Sequence, residues 1–148
     1  MVSKINSTKT YDLDVKEHRE KRSLNANAYL WVLCSKMADA MSLDKEDIYR
    51  GYINQRGVFK DFVLTEDEAK TFSVAWGMLG VGWFTERVDF EEDGERLVIR
   101  AYYGSSTYNT KQMSRIIDLA VQDAKSIGIE TMTPNEINEM LSRWEGNL

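Results

Sequence analysis

The chain offers few side chains that could carry covalent chemistry. Among its 148 residues there is one histidine, His18, and one cysteine, Cys34. His18 stands between two charged residues in a polar segment, and Cys34 lies in an apolar segment with no imidazole near it in sequence. A nucleophilic thiol needs a partner base or a cationic neighbour, and a zinc site needs several His or Cys ligands. The sequence therefore predicts no Cys–His catalytic pair, no zinc site and no internal disulfide.

Two other segments could suggest ion or phosphate binding, but neither has the required spacing. The acidic run in residues 89–95 lacks the alternating oxygen ligands and the closing glutamate of a calcium loop. The glycines at 77, 80 and 82 precede a predicted strand, whereas a phosphate-binding loop follows a strand and opens a helix. We expect a protein that is not an enzyme and uses no metal and no cofactor. A metal-dependent nuclease is the minor alternative.

A basic pair followed by the start of a helix is the first segment that could bind a ligand. Lys21 and Arg22 come directly before the predicted helix. The backbone N–H groups and dipole at a helix start favour an anion such as a phosphate. Asn27 and Trp31 are four residues apart and share a helix face, so they could offer an amide and a ring on which a base stacks. The alternative is that Trp31 is a core residue and Asn27 makes only local hydrogen bonds.

The second segment, residues 101–111, joins the predicted hairpin to the longest predicted helix. It contains three tyrosines, Tyr108 among them, together with small hydroxyl side chains that can hydrogen-bond phosphates. Lys111 and Arg115 are four residues apart on the polar face of the following helix, which would extend a basic track. The same residue types are also ordinary in loops and helix caps.

Charge is unevenly distributed along the chain. The net charge is −5, but residues 1–22 hold six basic and four acidic side chains, a net +2, which leaves −7 for residues 23–148. A basic arm on an acidic body predicts weak, salt-sensitive binding to nucleic acid. The acidic body also fits an alternative function, an interaction module that docks on a host DNA-metabolism protein without binding DNA.

The order and spacing of these short motifs resemble the phage NinB/Orf family of recombination mediators. The motifs that carry the resemblance span about residues 21–146 and are Arg22-Ser23-Leu24, Asn27, Trp31, the Ser/Thr-rich loop at 105–107, Lys111, Gly128 and Arg143-Trp144. The resemblance implies a homodimer that binds single-stranded DNA, interacts with single-strand-binding protein and helps to load a recombinase or an annealing protein. The positions it implies for DNA binding are Arg22, Asn27, Trp31, Lys111 and Trp144.

Hydrophobic periodicity predicts the elements that position these groups. We expect helices from Ser23 to Met41, from Ser42 to Gln55, from the Thr65–Glu68 capping box, from Thr110 to Ile127 and from the Thr133–Glu136 capping box, with strands at 58–64, 83–90 and 97–103. The last two strands flank an Asp-Gly turn and should form an antiparallel hairpin.

This pattern predicts a mainly helical α+β single domain, residues 23–148, with a small antiparallel hairpin or sheet. Residues 1–22 would form a basic arm with at most a short strand at Tyr11–Val15. The apolar stripe of the last helix could pack within the chain or across the two-fold axis of a homodimer. With no segment typical of a membrane span or signal peptide and a single cysteine, we expect a protein of the bacterial host cytoplasm with no membrane partner.

Overall fold

A computed structural model describes residues 24–144 and confirms the predicted α+β class. These residues form five α-helices and one three-stranded antiparallel sheet. In chain order the elements are α1 (Ala26–Met41), α2 (Lys45–Arg56), β1 (Phe59–Thr65), α3 (Glu66–Gly77), β2 (Phe84–Phe90), β3 (Arg96–Tyr102), a 3₁₀ turn (Ser105–Thr107), α4 (Thr110–Ser126) and α5 (Pro134–Ser142). The predicted arm and its strand at Tyr11–Val15 lie outside the described residues.

The ends of the first two helices differ from the prediction. Asn25, not Ser23, caps α1, because its Oδ1 accepts the Ala28 N–H at 2.8 Å. Ser42 does not open α2: it closes α1 in the left-handed conformation, with φ 56°, and Asp44 caps α2 instead. Aspartate and serine are comparable N-caps, so the sequence contains two candidate caps for α2. The structure uses the later one, Asp44.

The other predicted helix starts are confirmed. α3 and α5 each begin with the predicted capping box, in which the threonine side chain accepts the N–H of a glutamate three residues on and the glutamate carboxylate accepts the threonine N–H. Each box satisfies two N–H groups that the first turn of a helix leaves unpaired. Pro134 occupies the first position of α5, where no N–H donor is needed.

The sheet has the order β1-β3-β2, so the predicted hairpin of β2 and β3 gains β1 as a third strand beside β3. The acidic hairpin tip is stabilised by Asp93, whose Oδ1 accepts the N–H groups of Glu95 and Arg96. Helix α3 covers one face of the sheet with Ala69 and Phe72, which pack on alternate residues of β3. The acidic run therefore forms a turn, as its sequence predicted.

The main core lies among α1, α2, α4 and α5. Helix α4 buries one continuous stripe there, which consists of Met113, Ile116, Ile117, Ala120, Val121 and Ala124. Met140, Leu141 and Trp144 at the end of the chain are buried against the same core, so the apolar stripe of α5 packs within the chain. Among residues 24–144 no helix is long and apolar enough to cross a membrane.

The buried thiol of Cys34 gives a first testable prediction. Burial raises the pKa of Cys34 to about 12, so very little thiolate exists at pH 8. We expect its reaction with a thiol reagent at pH 8 to be roughly a thousandfold slower in the native protein than in guanidinium chloride, because only the thiolate is nucleophilic. Absorbance of the released chromophore measures both rates. Rapid modification of the native protein would instead mean that α1 opens locally from the core.

Candidate nucleic-acid interface

The two segments that the sequence analysis singled out meet at Ser105, which is 0 % exposed. The Tyr49 hydroxyl donates to Ser105 Oγ at 2.7 Å, and the Ser105 backbone N–H donates back to the Tyr49 oxygen at 3.0 Å. Ser105 Oγ in turn donates to Oδ1 of Asn27. This network holds the start of α1 against the loop that precedes α4. We call Asn27, Trp31, Tyr49 and Ser105 the Ser105 junction.

Asn27 and Trp31 each keep a polar group without a hydrogen-bond partner in the described part of the chain. Both side chains are half-buried. The Asn27 oxygen is occupied by Ser105, but its amide nitrogen and the Trp31 indole N–H have no hydrogen-bond partner among residues 24–144. Trp31 stacks on Tyr49 with ring centroids 4.2 Å apart and an interplanar angle of 27°. One side of the Trp31 ring therefore packs on the core, and the side chain remains partly accessible.

The structure adds an aromatic residue to this region that sequence reasoning missed. Trp83 lies against Gly104, where a Cβ atom would overlap its indole ring. Its ring also contacts Trp76 and Tyr103, with centroid distances of 5.4 and 5.5 Å. Because Gly104 precedes Ser105, a second half-buried indole flanks the loop on which Asn27 is anchored. Gly104, which stands between two tyrosines and two serines in the sequence, was the signal that a bulky side chain approaches the backbone there.

Lys111 and Arg115 lie on the exposed side of α4, as predicted. Lys111 is in the first turn of α4, which follows the loop of Ser105 directly, and Arg115 is one turn farther along. Neither side chain has a carboxylate partner among the described residues. The basic track is extended by Arg56, the last residue of α2, which lines the same groove as Arg115.

Two of the predicted contact residues are core residues. Tyr108 is 1 % exposed, and its hydroxyl donates to the Tyr103 carbonyl at 2.9 Å and accepts the Val58 N–H at 3.0 Å. Burial raises the pKa of Tyr108, which keeps the hydroxyl protonated. Trp144 is 9 % exposed and donates its indole N–H to the Tyr108 carbonyl at 2.8 Å. Base stacking by Tyr108 and DNA contact by Trp144 are therefore replaced by structural roles, because both rings are covered by the fold.

The two remaining predicted residues, Lys21 and Arg22, lie outside the described residues. Within residues 24–144 no group of three or more His, Cys, Asp or Glu side chains is placed to hold a metal ion. The described part of the candidate interface therefore consists of the Ser105 junction, Trp83, and the cations of α4 with Arg56.

Comparison with protein-family models, with curated proteins and with solved structures finds no match to this chain.

Proposed function

We propose that this protein is a non-catalytic, single-stranded DNA-binding protein of the NinB/Orf recombination-mediator type, which acts with single-strand-binding protein in the cytoplasm of a bacterial host. The observation that carries the proposal is the Ser105 junction, where an unpaired amide and a half-buried indole adjoin the loop that leads into Lys111 and Arg115. The resemblance of the sequence to that family supports the same conclusion.

Base stacking is assigned to Trp31 and Trp83. A ring that is packed on one side and partly accessible on the other is held in place without a bound base, so little side-chain entropy is lost on binding. Trp31 is held by Tyr49 and Trp83 by Tyr103 and Trp76. The unpaired Asn27 amide can donate to a phosphate or to a base edge.

Phosphate contacts are assigned to Lys111 and Arg115, joined by Lys21 and Arg22 from the basic arm. The described residues carry thirteen basic and nineteen acidic side chains, a net charge of −6. This part of the chain therefore repels DNA at long range, and binding depends on the cations close to the Ser105 junction. Since each neutralised phosphate steepens the dependence on salt, affinity should fall clearly as salt is raised.

Charge reversal of the α4 cations tests the proposal. We expect Lys111→Glu with Arg115→Glu to weaken binding of a labelled oligonucleotide of about 30 nucleotides by at least about tenfold at low salt, because two phosphate contacts become repulsive. Fluorescence anisotropy gives the Kd. Lys125→Glu is the matched control: Lys125 is exposed in the last turn of the same helix and should leave the Kd within about twofold.

The DNA proposal would be refuted by wild-type protein that shows no saturable binding at low salt. It would also be refuted by a double variant and a Lys125→Glu control that bind alike. Trp31→Ala separates stacking from charge: its Kd should rise while the salt dependence of binding stays that of wild type, since no phosphate contact is removed.

The homodimer that the family resemblance implies is supported by an exposed apolar surface at the end of α3. It consists of Val74, Met78 and Leu79, and Met78 is 82 % exposed. Helix α3 ends at Gly77, and Leu79 lies exposed in the turn that follows. Clustered exposed apolar side chains mark association surfaces in folded proteins.

We assign this surface to homodimerisation. Light scattering should give twice the mass of one 17.1 kDa chain, and Met78→Lys with Leu79→Lys should shift the protein to the monomer, since a two-fold interface would bury each charge twice. Met41→Lys is the control, because Met41 is also exposed but lies at the end of α1. A wild-type mass of one chain would end the dimer assignment.

A further inference from the structure

A groove of about 360 Å³ lies where the end of α2 meets α4 and α5. Its lining consists of Arg56, Ser114, Arg115, Ile117, Asp118, Val121, Ile137, Asn138 and Leu141. The lining joins two kinds of surface, a charged rim from α2 and α4 and an aliphatic floor from α4 and α5.

The two arginines of the rim are exceptional among the residues that the structure describes. The described residues include seven arginines, and five of them pair with a carboxylate: Arg50, Arg87, Arg96, Arg100 and Arg143. Arg56 and Arg115 have no such partner among residues 24–144, although carboxylates outnumber cations there. A guanidinium presents N–H donors in a planar fork that matches a carboxylate.

One carboxylate, Asp118, belongs to the lining and opposes anion binding. It accepts a hydrogen bond from Nε2 of Gln122 at 2.8 Å and forms no ion pair with either arginine. The rim thus retains a net positive charge, with two cations against one anion. Removal of this carboxylate provides a sensitive test of what the groove binds.

The floor determines which anion fits. Ile117, Val121, Ile137 and Leu141 are aliphatic; Ile137 is half-buried, the other three belong to the buried core and close the groove from below, and none of the described lining residues is aromatic. A nucleic-acid base would find no ring to stack on, whereas a leucine-like side chain would be desolvated against the floor. Phosphodiester binding uses the charge but leaves the apolar floor unused.

We propose that this groove binds an acidic peptide segment of a partner protein, in which aspartate or glutamate residues flank a large aliphatic side chain. Arg56 and Arg115 bind the carboxylates, and the aliphatic side chain packs on Ile137, the half-buried member of the floor. The groove is separate from the Ser105 junction, but its two arginines also belong to the basic track proposed for DNA.

The test uses a fluorescein-labelled Asp-Leu-Asp-Asp-Leu-Asp peptide and the full chain, with anisotropy as the readout. We expect saturable binding of this peptide. Its affinity should fall at least about tenfold when the aspartates are replaced by lysine, and should also fall clearly when the leucines are replaced by serine. The double variant Arg56→Ala with Arg115→Ala should bind the peptide with an affinity lower by about tenfold or more. Asp118→Asn should bind the peptide a few times more tightly, because one repulsive charge is removed.

Asn138→Trp separates this site from the DNA site. Asn138 is exposed on α5, and an indole there would fill the groove without removing either arginine. We expect loss of peptide binding with unchanged oligonucleotide binding. Asn135→Trp is the matched control, since Asn135 is exposed on the same helix but does not line the groove.

No saturable binding of the acidic peptide to the wild-type chain would overturn the proposal, whatever the DNA result. Equal peptide affinities for wild type, the double arginine variant and Asn138→Trp would overturn it as well. If Asn138→Trp abolishes oligonucleotide binding and the peptide does not bind, the groove is a phosphate site and the peptide assignment is wrong.

Discussion

Gly57→Ala is expected to destabilise the protein by about 3 kcal/mol. Gly57 ends α2 with φ −77°, a conformation open to any residue, so the cost is steric. A Cβ atom there would lie 2.5 Å from the Ile53 carbonyl oxygen and 2.6 Å from the Tyr108 hydroxyl oxygen. The backbone oxygen cannot move without loss of the last turn of α2. The hydroxyl cannot move without loss of its bonds to Val58 and Tyr103.

Gly51→Ala is the matched control for this experiment. Gly51 is inside the same helix, and a Cβ atom there would meet nothing within 4 Å. Alanine is a better helix former than glycine, so this variant should be more stable than wild type by about 0.5–1 kcal/mol. Urea unfolding followed by circular dichroism measures both changes. Equal midpoints for the Gly57 variant and wild type would contradict the close packing of Tyr108 under the end of α2.

The elements that the sequence predicted well are those with local determinants. Helix α4 has an apolar stripe at every turn, and the capping boxes at Thr65 and Thr133 specify a start within four residues. The junction of α1 and α2 was predicted less well, because Ser42 and Asp44 are both good caps and only the packing of the two helices selects between them. Strand β1 was predicted as an element, but its place beside β3 depends on contacts about 40 residues apart.

The candidate site was only partly predictable for the same reason. Asn27 and Trp31 share a helix face, and this follows from their spacing alone. The approach of Trp83 to Gly104 joins segments 21 residues apart, and Arg56 becomes part of a groove only when α4 and α5 pack beside it. The sequence also cannot tell a buried ring from an accessible one in a loop, which is why Tyr108 was interpreted as a stacking residue.

Trp144→Ala is expected to lower the free energy of unfolding by about 4 kcal/mol, the usual size for loss of a buried indole. The substitution leaves a cavity at the end of α5. It also removes the indole N–H that the Tyr108 carbonyl accepts at 2.8 Å, so a buried acceptor loses its partner. Urea unfolding of this variant is best compared with that of Trp31→Ala, which removes a half-buried ring stacked on Tyr49 and should cost only about 1–2 kcal/mol.

Substitutions of Trp31 and Trp144 should affect stability and DNA binding differently. Trp31→Ala should retain a cooperative fold and lose affinity for the oligonucleotide. Trp144→Phe, which keeps most of the buried ring, should bind DNA as wild type does while remaining less stable, because phenylalanine cannot donate to the Tyr108 carbonyl. If Trp144→Phe folds with wild-type stability but binds DNA poorly, Trp144 contacts the strand as the family resemblance implied. The core around Trp144 would then have to open on binding, since a ring that is 9 % exposed presents no face to a base.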